Sequence, residues 1–186
     1  MSQKREMMRI IAGKYRRRLI HWPEDHSIRP TKDRIREAIF DALSDVSDKS
    51  FLDLYAGSGS MGLEAISRGA AKVTFVDRGS SAINCINENI KLLDISEDYV
   101  ITKMDDESAL NKFKLEGQSF DIIFLDPPYK DGKYEEIITY ILDNDLVNNH
   151  GIIIAECNRP IMVNHSRINK VKDYKYGEIY VTFFGV

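Results

Sequence analysis

The residues best suited to chemistry are Asp126-Pro127-Pro128-Tyr129, which directly follow the apolar segment 121–125. Two consecutive prolines fix the backbone and remove two N–H donors, so a strand cannot continue through them. What remains is a rigid pair of hydrogen-bond acceptors, the Asp126 carboxylate and the Pro127 carbonyl, beside the Tyr129 ring. The pattern suits an exocyclic amine on a planar base, because the acceptors hold its hydrogens while the ring stacks on tyrosine. Whether Asp126 takes the amine proton or only orients the amine stays open.

A glycine-rich turn, Gly57-Ser58-Gly59-Ser60-Met61-Gly62, stands between an apolar strand and a helix and matches G-x-G-x-x-G. Its glycines permit a tight turn and a close approach of the backbone to a ligand. Asp77 ends the next predicted strand, where a carboxylate can accept hydrogen bonds from ribose hydroxyls. These features predict a nucleoside cofactor, and they leave NAD and S-adenosylmethionine as alternatives.

Asp53, just upstream of the turn, favours S-adenosyl-L-methionine as the cofactor. Its carboxylate could face the ammonium group of a methionine moiety, whereas it would repel the pyrophosphate that lies over such a turn in a dinucleotide site. The neighbouring residues predicted to complete the cofactor site are Tyr55, Ser58, Gly62 and Arg78. No metal site is expected.

From residue 51 onward, short apolar strands alternate with helices. This order predicts an α/β fold, a doubly wound and mostly parallel sheet covered by helices on both faces. Segment 121–125 is the most apolar strand up to that point, so we expect it at the centre. Residues 171–176 and 178–184 around Gly177 predict a C-terminal antiparallel hairpin at or near one edge. Ligands of such sheets bind at the carboxyl ends of the strands.

Composition and charge narrow the class of protein. The chain has 186 residues, 43% of them apolar, which is enough for one domain with a sizeable core. Its net charge of −3 divides into +7 over residues 1–36 and −10 over residues 37–186, a layout that fits phosphate binding at the N-terminal end. It has no long apolar run and no signal-peptide pattern, and Cys85 and Cys157 stand alone. We therefore expect reduced thiols and a cytoplasmic location.

The two motifs together resemble the class I, Rossmann-like amino-methyltransferases. Residues Arg9–Gly13, Arg16–Arg18 and Arg29–Glu37 are similar to the bacterial 16S rRNA (guanine-N2)-methyltransferase family. The resemblance runs from about Arg9 to the C-terminal hairpin. Ala12-Gly13 and Arg16-Arg17-Arg18 depart from the Gly-Gly and Arg-Gly-Arg of the family, and both departures lie in the predicted RNA arm.

The resemblance implies that Asp53, Gly57, Gly59 and Asp77 hold the cofactor and that Asp105 lies near its adenine. Asp126 to Tyr129 would hold the target base, a guanine of 16S rRNA within a small ribosomal subunit or its assembly intermediate. Met104-Asp105-Asp106 departs from the more usual Gly-Asp-Ala of the family.

The basic N-terminal segment, residues 1–30, is predicted to be an arm for RNA contact, followed by the methyltransferase domain over 31–186. Tyr15 and Trp22 are expected to stack on exposed bases. The side chains expected to contact phosphates are Arg9, Lys14, Arg16, Arg17, Arg18, Arg29, Arg34 and Arg36.

Three other functions stay open at this point. Asp-Pro-Pro-Tyr also serves adenine-N6 and cytosine-N4 methyltransferases acting on DNA or other RNA. The glycine turn alone would suit an NAD-dependent oxidoreductase. A non-catalytic RNA-binding module would not need the acceptor cluster at Asp126. With no heptad pattern or apolar stripe that demands a partner, we expect a monomer.

Overall fold

A computed structural model describes residues 7–23, 33–128 and 133–186. The strands in chain order are β1 (Met7–Arg9), β2 (Leu19–His21), β3 (Ser50–Asp53), β4 (Lys72–Asp77), β5 (Asp98–Lys103), β6 (Phe120–Leu125), β7 (Val147–Cys157), β8 (Lys170–Tyr176) and β9 (Ile179–Gly185). The helices are α1 (Asp33–Leu43), α2 (Ser60–Ser67), α3 (Ser80–Leu93), α4 (Asp106–Leu115) and α5 (Tyr134–Asp143).

Seven strands form one sheet in the order β5-β4-β3-β6-β7-β9-β8. The strands from β5 to β7 in this order run parallel, whereas β9 and β8 add an antiparallel edge. β6 occupies the middle because residues 122–125 are buried on both faces, as a central parallel strand requires. The predicted fold class, with its C-terminal antiparallel hairpin, is confirmed.

Side chains of the sheet alternate between two apolar clusters, one on each face. On the first face, Phe75, Phe124 and Ile154 pack with α1, α2 and α3. On the second face, Ile123 and Leu125 pack with α4 and α5. A residue two positions beyond Phe75 or Phe124 therefore points to the first face.

Helices α2 and α3 each begin just after a parallel strand ends. We call the side of the sheet where β3, β4, β6 and β7 end the carboxyl edge, and the opposite side the amino edge. Both helices run from the carboxyl edge back to the amino edge. With 14 residues, α3 is about 21 Å long.

The arm, residues 7–23, packs on the first face of the sheet through its apolar side chains. β1 and β2 pair antiparallel, with Met8 opposite Ile20. Both residues belong to the same apolar cluster as the buried side chains of α1, α2 and α3. The predicted boundary at residue 30 lies outside the described residues.

A buried carboxylate, Glu64 of α2, joins the arm to α1 and α2. It accepts hydrogen bonds from the N–H groups of Ile11 at 2.8 Å and Ala12 at 3.0 Å. Arg68 donates to it at 2.8 Å, and Nε of Arg36 from α1 lies 3.7 Å away. A charge out of contact with water is tolerated only with such partners. The contacts around Glu64 therefore hold the three segments together.

Gly13 brings the arm against the last residue of α2. Its φ is +80°, in the left-handed region that glycine adopts most readily. The N–H of Lys14 donates to the Ser67 carbonyl oxygen at 2.7 Å. A Cβ at position 13 would lie 1.8 Å from that oxygen, which belongs to helix backbone and cannot turn aside.

Replacing Gly13 by alanine should therefore separate the arm from α2. The clash adds to a left-handed backbone cost, and we expect the free energy of unfolding to fall by roughly 3 kcal/mol. Gly117→Ala is the matched control, since Gly117 has φ +63° and nothing within 4 Å of an added Cβ. Chemical denaturation of both variants measures the difference. Equal losses would show that the approach to Ser67 contributes nothing.

Candidate active site

Carboxylates mark the ends of four neighbouring strands at the carboxyl edge. In the strand order β4, β3, β6 and β7 they are Asp77, Asp53, Asp126 and Glu156. These carboxylates follow the row of strand ends and do not converge on a common centre. Within the described ranges no group of three or more His, Cys, Asp or Glu could hold a metal ion. Sequence reasoning misses Glu156, because no motif surrounds it in its apolar strand.

The strand register turns three of these carboxylates to the first face. Asp53 pairs with Phe75 on one side and with Phe124 on the other. Both phenylalanines belong to the first-face cluster. Because side chains alternate along a strand, Asp77 and Asp126, each two residues farther on, continue on that face. The carboxylates predicted separately from the glycine turn and from Asp-Pro-Pro therefore face one space.

The glycine-rich turn holds Asp53 and Asp77 by backbone hydrogen bonds. Asp53 accepts the N–H of Gly62 at 3.0 Å. One oxygen of Asp77 accepts the N–H of Gly57 at 2.9 Å, and the other accepts that of Gly79 at 2.7 Å. Each carboxylate oxygen has two acceptor positions, so Asp77 can still accept hydrogen bonds from ribose hydroxyls.

The other predicted residues of the turn determine its conformation and its packing. Gly59, the N-cap of α2, has φ +78° and shapes the turn. At Gly62 a Cβ would lie 2.2 Å from the Phe75 ring, so this glycine lets α2 pack on β4. The hydroxyl of buried Ser58 lies 3.9 Å from the Met8 sulfur, towards the arm.

Burial raises the pKa of Asp53 to about 7. The side chain is 1% exposed, the hydrogen bond from Gly62 lowers the pKa, and the charge of Asp77 raises it. A cation bound nearby would favour the charged form and bring the pKa back down. The ammonium group of a methionine moiety therefore fits this position, as the sequence predicted.

Asp105 caps α4 in this structure. Its carboxylate accepts hydrogen bonds from the N–H of Ser108 at 2.8 Å and from the Ser108 hydroxyl at 2.9 Å, and these bonds lower the pKa of Asp105. The Tyr55 hydroxyl donates instead to Asp106, at 2.8 Å. Arg78 is exposed, and its charge also lowers the Asp105 pKa. A contact of Asp105 with adenine stays a prediction.

Tyr134 of α5 fixes the backbone beside Asp126. Its buried hydroxyl lies 2.8 Å from the Glu156 carbonyl oxygen and 3.3 Å from the Pro127 carbonyl oxygen. A carbonyl oxygen has two lone pairs, so Pro127 can still accept from a substrate amine. Sequence reasoning misses Tyr134, whose signal is an aromatic residue opening the helix after Asp-Pro-Pro. Of the other residues predicted to hold the target base, Pro128 is exposed. Tyr129 lies outside the described residues.

Arg36 is buried, which contradicts its prediction as an RNA contact. It was predicted to contact RNA, yet its side chain is 0% exposed. It donates to the Arg9 carbonyl at 2.6 Å and to Asp33 at 3.0 Å, and it lies beside Glu64. Burial lowers its pKa. Arg36 therefore pairs with buried Glu64 and half-exposed Asp33 instead of contacting phosphates.

The prediction that Tyr15 and Trp22 stack on bases is wrong. Their side chains are 4% and 5% exposed and belong to the first-face cluster. The Tyr15 hydroxyl donates to Glu97 at 2.7 Å. Their rings contribute to the packing of the arm because an aromatic side chain stabilises most when it is removed from water.

Three further arm cations have protein partners. Arg9 lies 3.3 Å from Asp33, and Lys14 lies 2.6 Å from Glu97, both in exposed ion pairs. Arg18 donates to the last two carbonyls of α3, where a cation is favourable. Exposed pairs of this kind contribute little and can exchange for phosphate contacts.

The remaining cations that were predicted to contact RNA lie at two different edges of the sheet. Arg16 and Arg17 are exposed in the loop that contacts the ends of α2 and α3, at the amino edge. Arg34, also exposed, begins α1 and acts electrostatically on Tyr176 at the end of β8. Tyr176 pairs with the start of β9, which lies at the carboxyl edge because β9 runs antiparallel to β7. Arg29 lies outside the described residues.

Comparison with known proteins places the chain in a family. A family model described as "Conserved hypothetical protein 95" matches residues 8–185. The chain belongs to this family. Its relatives include the Ribosomal RNA small subunit methyltransferase D of Escherichia coli, 34% identical over 150 residues that cover 80% of this chain and 74% of the relative. The family predicted from the sequence is thereby confirmed.

Solved structures confirm the class I methyltransferase fold. A hypothetical protein of Thermus thermophilus has a TM-score of 0.81 and 28% identity, covering 96% of this chain and 99% of that one. The T. thermophilus 16S rRNA N2 G1207 methyltransferase, in complex with AdoMet and guanosine, has a TM-score of 0.71 and 18% identity. It covers 98% of this chain and 50% of that one, and at this identity it shows the fold. No helix in the described ranges is long and apolar enough to cross a membrane.

Affinity for S-adenosylmethionine should depend on pH through Asp53. Since burial raises the pKa of this carboxyl to about 7, it is protonated below that pH and loses the charge that attracts an ammonium. We expect the Kd to rise by up to about tenfold per unit below pH 7, and to rise again above about pH 8, where the α-ammonium of the cofactor loses its own proton. Calorimetric titration across this range measures the profile.

Asp53→Asn is the control for this profile. An amide keeps the size and one acceptor but has no charge to titrate, so binding should be weaker and independent of pH below pH 7. A flat profile below pH 7 in the unmodified protein would separate Asp53 from the cofactor.

Proposed function

We propose that this chain transfers a methyl group from S-adenosylmethionine to the exocyclic N2 of a guanine in 16S rRNA. The observation that carries the proposal is the adjacency of Asp53 and Asp126 on one face of neighbouring strands β3 and β6. Such strands lie about 4.8 Å apart, so a cofactor held over β3 meets an amine held over β6. The E. coli relative is named for small-subunit ribosomal RNA, which supports this substrate class.

S-adenosylmethionine fits the residues of the first face. Asp53 would attract its ammonium, Asp77 would accept its ribose hydroxyls, and Gly57 and Gly59 would allow close approach of the backbone. The acidic character of these residues matches a cationic ligand and opposes a dinucleotide phosphate. When bound, S-adenosylmethionine supplies an electrophilic methyl group on a sulfonium centre.

Asp126 and the Pro127 carbonyl would then act on the target amine. The N2 lone pair of guanine is delocalised into the ring, so the amine is a weak nucleophile. Two fixed acceptors favour the positive charge that develops on nitrogen and turn its lone pair towards the methyl group. The nitrogen–carbon bond forms as the carbon–sulfur bond breaks, and the surplus N2 proton passes to Asp126 or to water. Tyr134 keeps the acceptors in position.

The basic arm extends the proposed RNA surface beyond the reacting base. Arg16 and Arg17 stand at the amino edge, separated from the carboxyl edge by about the 21 Å length of α3. An RNA that contacts both must extend several nucleotides beyond the target base. We propose a small-subunit particle or assembly intermediate as substrate and a monomeric, cytoplasmic enzyme. Arg34 at the carboxyl edge would meet phosphates next to the target.

Asp126→Ala should abolish methyl transfer while leaving cofactor affinity nearly unchanged. Loss of a group that stabilises developing charge costs about 10²- to 10³-fold in rate, and Asp126 also holds the substrate. The assay uses labelled S-adenosylmethionine with unmodified small subunits, and mass spectrometry identifies the product nucleoside. N2-methylguanosine is expected.

Glu116→Ala serves as control, because Glu116 is an exposed carboxylate at the end of α4, which packs on the face of the sheet opposite to the site. It should turn over like the unmodified enzyme. Undiminished transfer by Asp126→Ala would remove Asp126 from the mechanism. N6-methyladenosine as the product would move the target to the adenine alternative.

Reversing the charge of Arg16 and Arg17 to glutamate should weaken RNA binding and reduce its salt dependence. Each lost phosphate contact lowers the slope of log K against log salt by about 0.7 to 0.9. Lys112→Glu with Lys114→Glu on α4 makes the same charge change elsewhere. Filter binding at several salt concentrations compares the pairs, and an identical slope in both would exclude the arm as an RNA contact.

A further inference from the structure

Glu156 continues the line of carboxylates one strand beyond Asp126. In the pairing of β6 with β7, Leu125 lies beside Ala155, so the next residues, Asp126 and Glu156, are neighbours. Ile154, two residues before Glu156, belongs to the first-face cluster, so Glu156 faces the same space as Asp126. Its side chain is 3% exposed.

Nothing in the strand pattern calls for a carboxylate at this position. Ile152 and Ile154 occupy the preceding first-face positions of β7, and an aliphatic residue at position 156 would continue that packing. Keeping a carboxylate out of water is costly, and such a group is retained where it has a partner to bind. The position of Glu156 beside Asp126 places this carboxylate next to the space where the target base would lie.

Each of these strand ends would face one group of the proposed ligands. Asp77 on β4 faces a ribose, Asp53 on β3 an ammonium, and Asp126 after β6 the target amine, with successive strands about 4.8 Å apart. Glu156 over β7 would lie beside the edge of the base that carries the amine, where a carboxylate can only accept a hydrogen bond. Of the two ring atoms that flank the 2-amine of guanine, N1 carries a hydrogen and N3 does not, whereas N1 of adenine is an acceptor.

We propose that the Glu156 carboxylate accepts the N1–H of the target guanine, next to the N2 amine held by Asp126, and so selects guanine over adenine. The inference rests on the proposed function and names the residue that reads the base. A carboxylate accepts from the two adjacent donors of guanine and repels the lone pair at N1 of adenine.

Tyr134 gives this pair of acceptors a fixed separation. Its hydroxyl lies between the carbonyl oxygens of Glu156 and Pro127, at 2.8 and 3.3 Å. The hydroxyl therefore ties the end of β7 to the segment that follows β6. Recognition of a flat base by two side chains needs such a rigid support, because a loose pair would accept either base.

The test compares guanine with 2-aminopurine at the target position of rRNA built by ligation and reconstituted into small subunits. 2-Aminopurine keeps the 2-amine but has an acceptor at N1. The unmodified enzyme should prefer guanine by kcat/KM. In Glu156→Gln the amide can donate to N1, so the guanine-to-2-aminopurine ratio should fall by roughly 10- to 150-fold, the effect of one hydrogen bond to a charged group.

Controls separate recognition from folding. Glu178→Gln, an exposed residue in the hairpin turn at the same edge, should leave the ratio unchanged. Glu156→Asp, which keeps the carboxylate, should lose rate but keep the preference for guanine. Calorimetry should show cofactor binding by both Glu156 variants, which establishes that they are folded.

Two results would overturn the inference. If Glu156→Gln slows both substrates equally, Glu156 supports the structure and does not read N1. If Glu156→Asp binds cofactor but loses the preference for guanine, the carboxylate is not the selecting group. Failure of the unmodified enzyme to methylate guanine would instead refute the proposed function, so the two failures are distinguishable.

Discussion

The site depends on the register of its parallel strands. Neighbouring strands end at the same height in the sheet, and side chains two residues apart along a strand lie on the same face. The pairing of Asp53 with both Phe75 and Phe124 sets the level of β3, β4 and β6. A slip of one residue in any of these pairs would turn a carboxylate to the opposite face. The apolar cluster under the sheet therefore fixes the register, and the register assembles the polar site.

Aligning acids in this way has an electrostatic consequence. The pKa of Asp53 is raised first by burial and then by the neighbouring Asp77. Burial and the charge of Asp77 disfavour the charged form of Asp53, so a cation bound beside it is stabilising. The same feature thus favours a sulfonium- and ammonium-bearing cofactor over a dinucleotide.

The buried Glu64 explains why a basic segment can belong to the fold. Arg36 and Arg68 surround this carboxylate, and backbone N–H groups of the arm complete its hydrogen bonds. Part of the positive charge at the N-terminal end therefore neutralises the interior, while Arg16 and Arg17 remain exposed. Net charge along the sequence cannot separate these uses, because burial decides which cations solvent and phosphate can reach.

The order of elements, the central strand, the glycine turn and the acceptor segment can be predicted from the amino-acid sequence, because each depends on local periodicity or on backbone limits set by glycine and proline. The family resemblance is likewise a property of the sequence. The burial of Arg36, Tyr15 and Trp22, the support of Pro127 by Tyr134 and the position of Glu156 beside Asp126 are known from the folded structure alone. These facts depend on contacts between distant segments, and no spacing within one segment records which residue lies across a neighbouring strand.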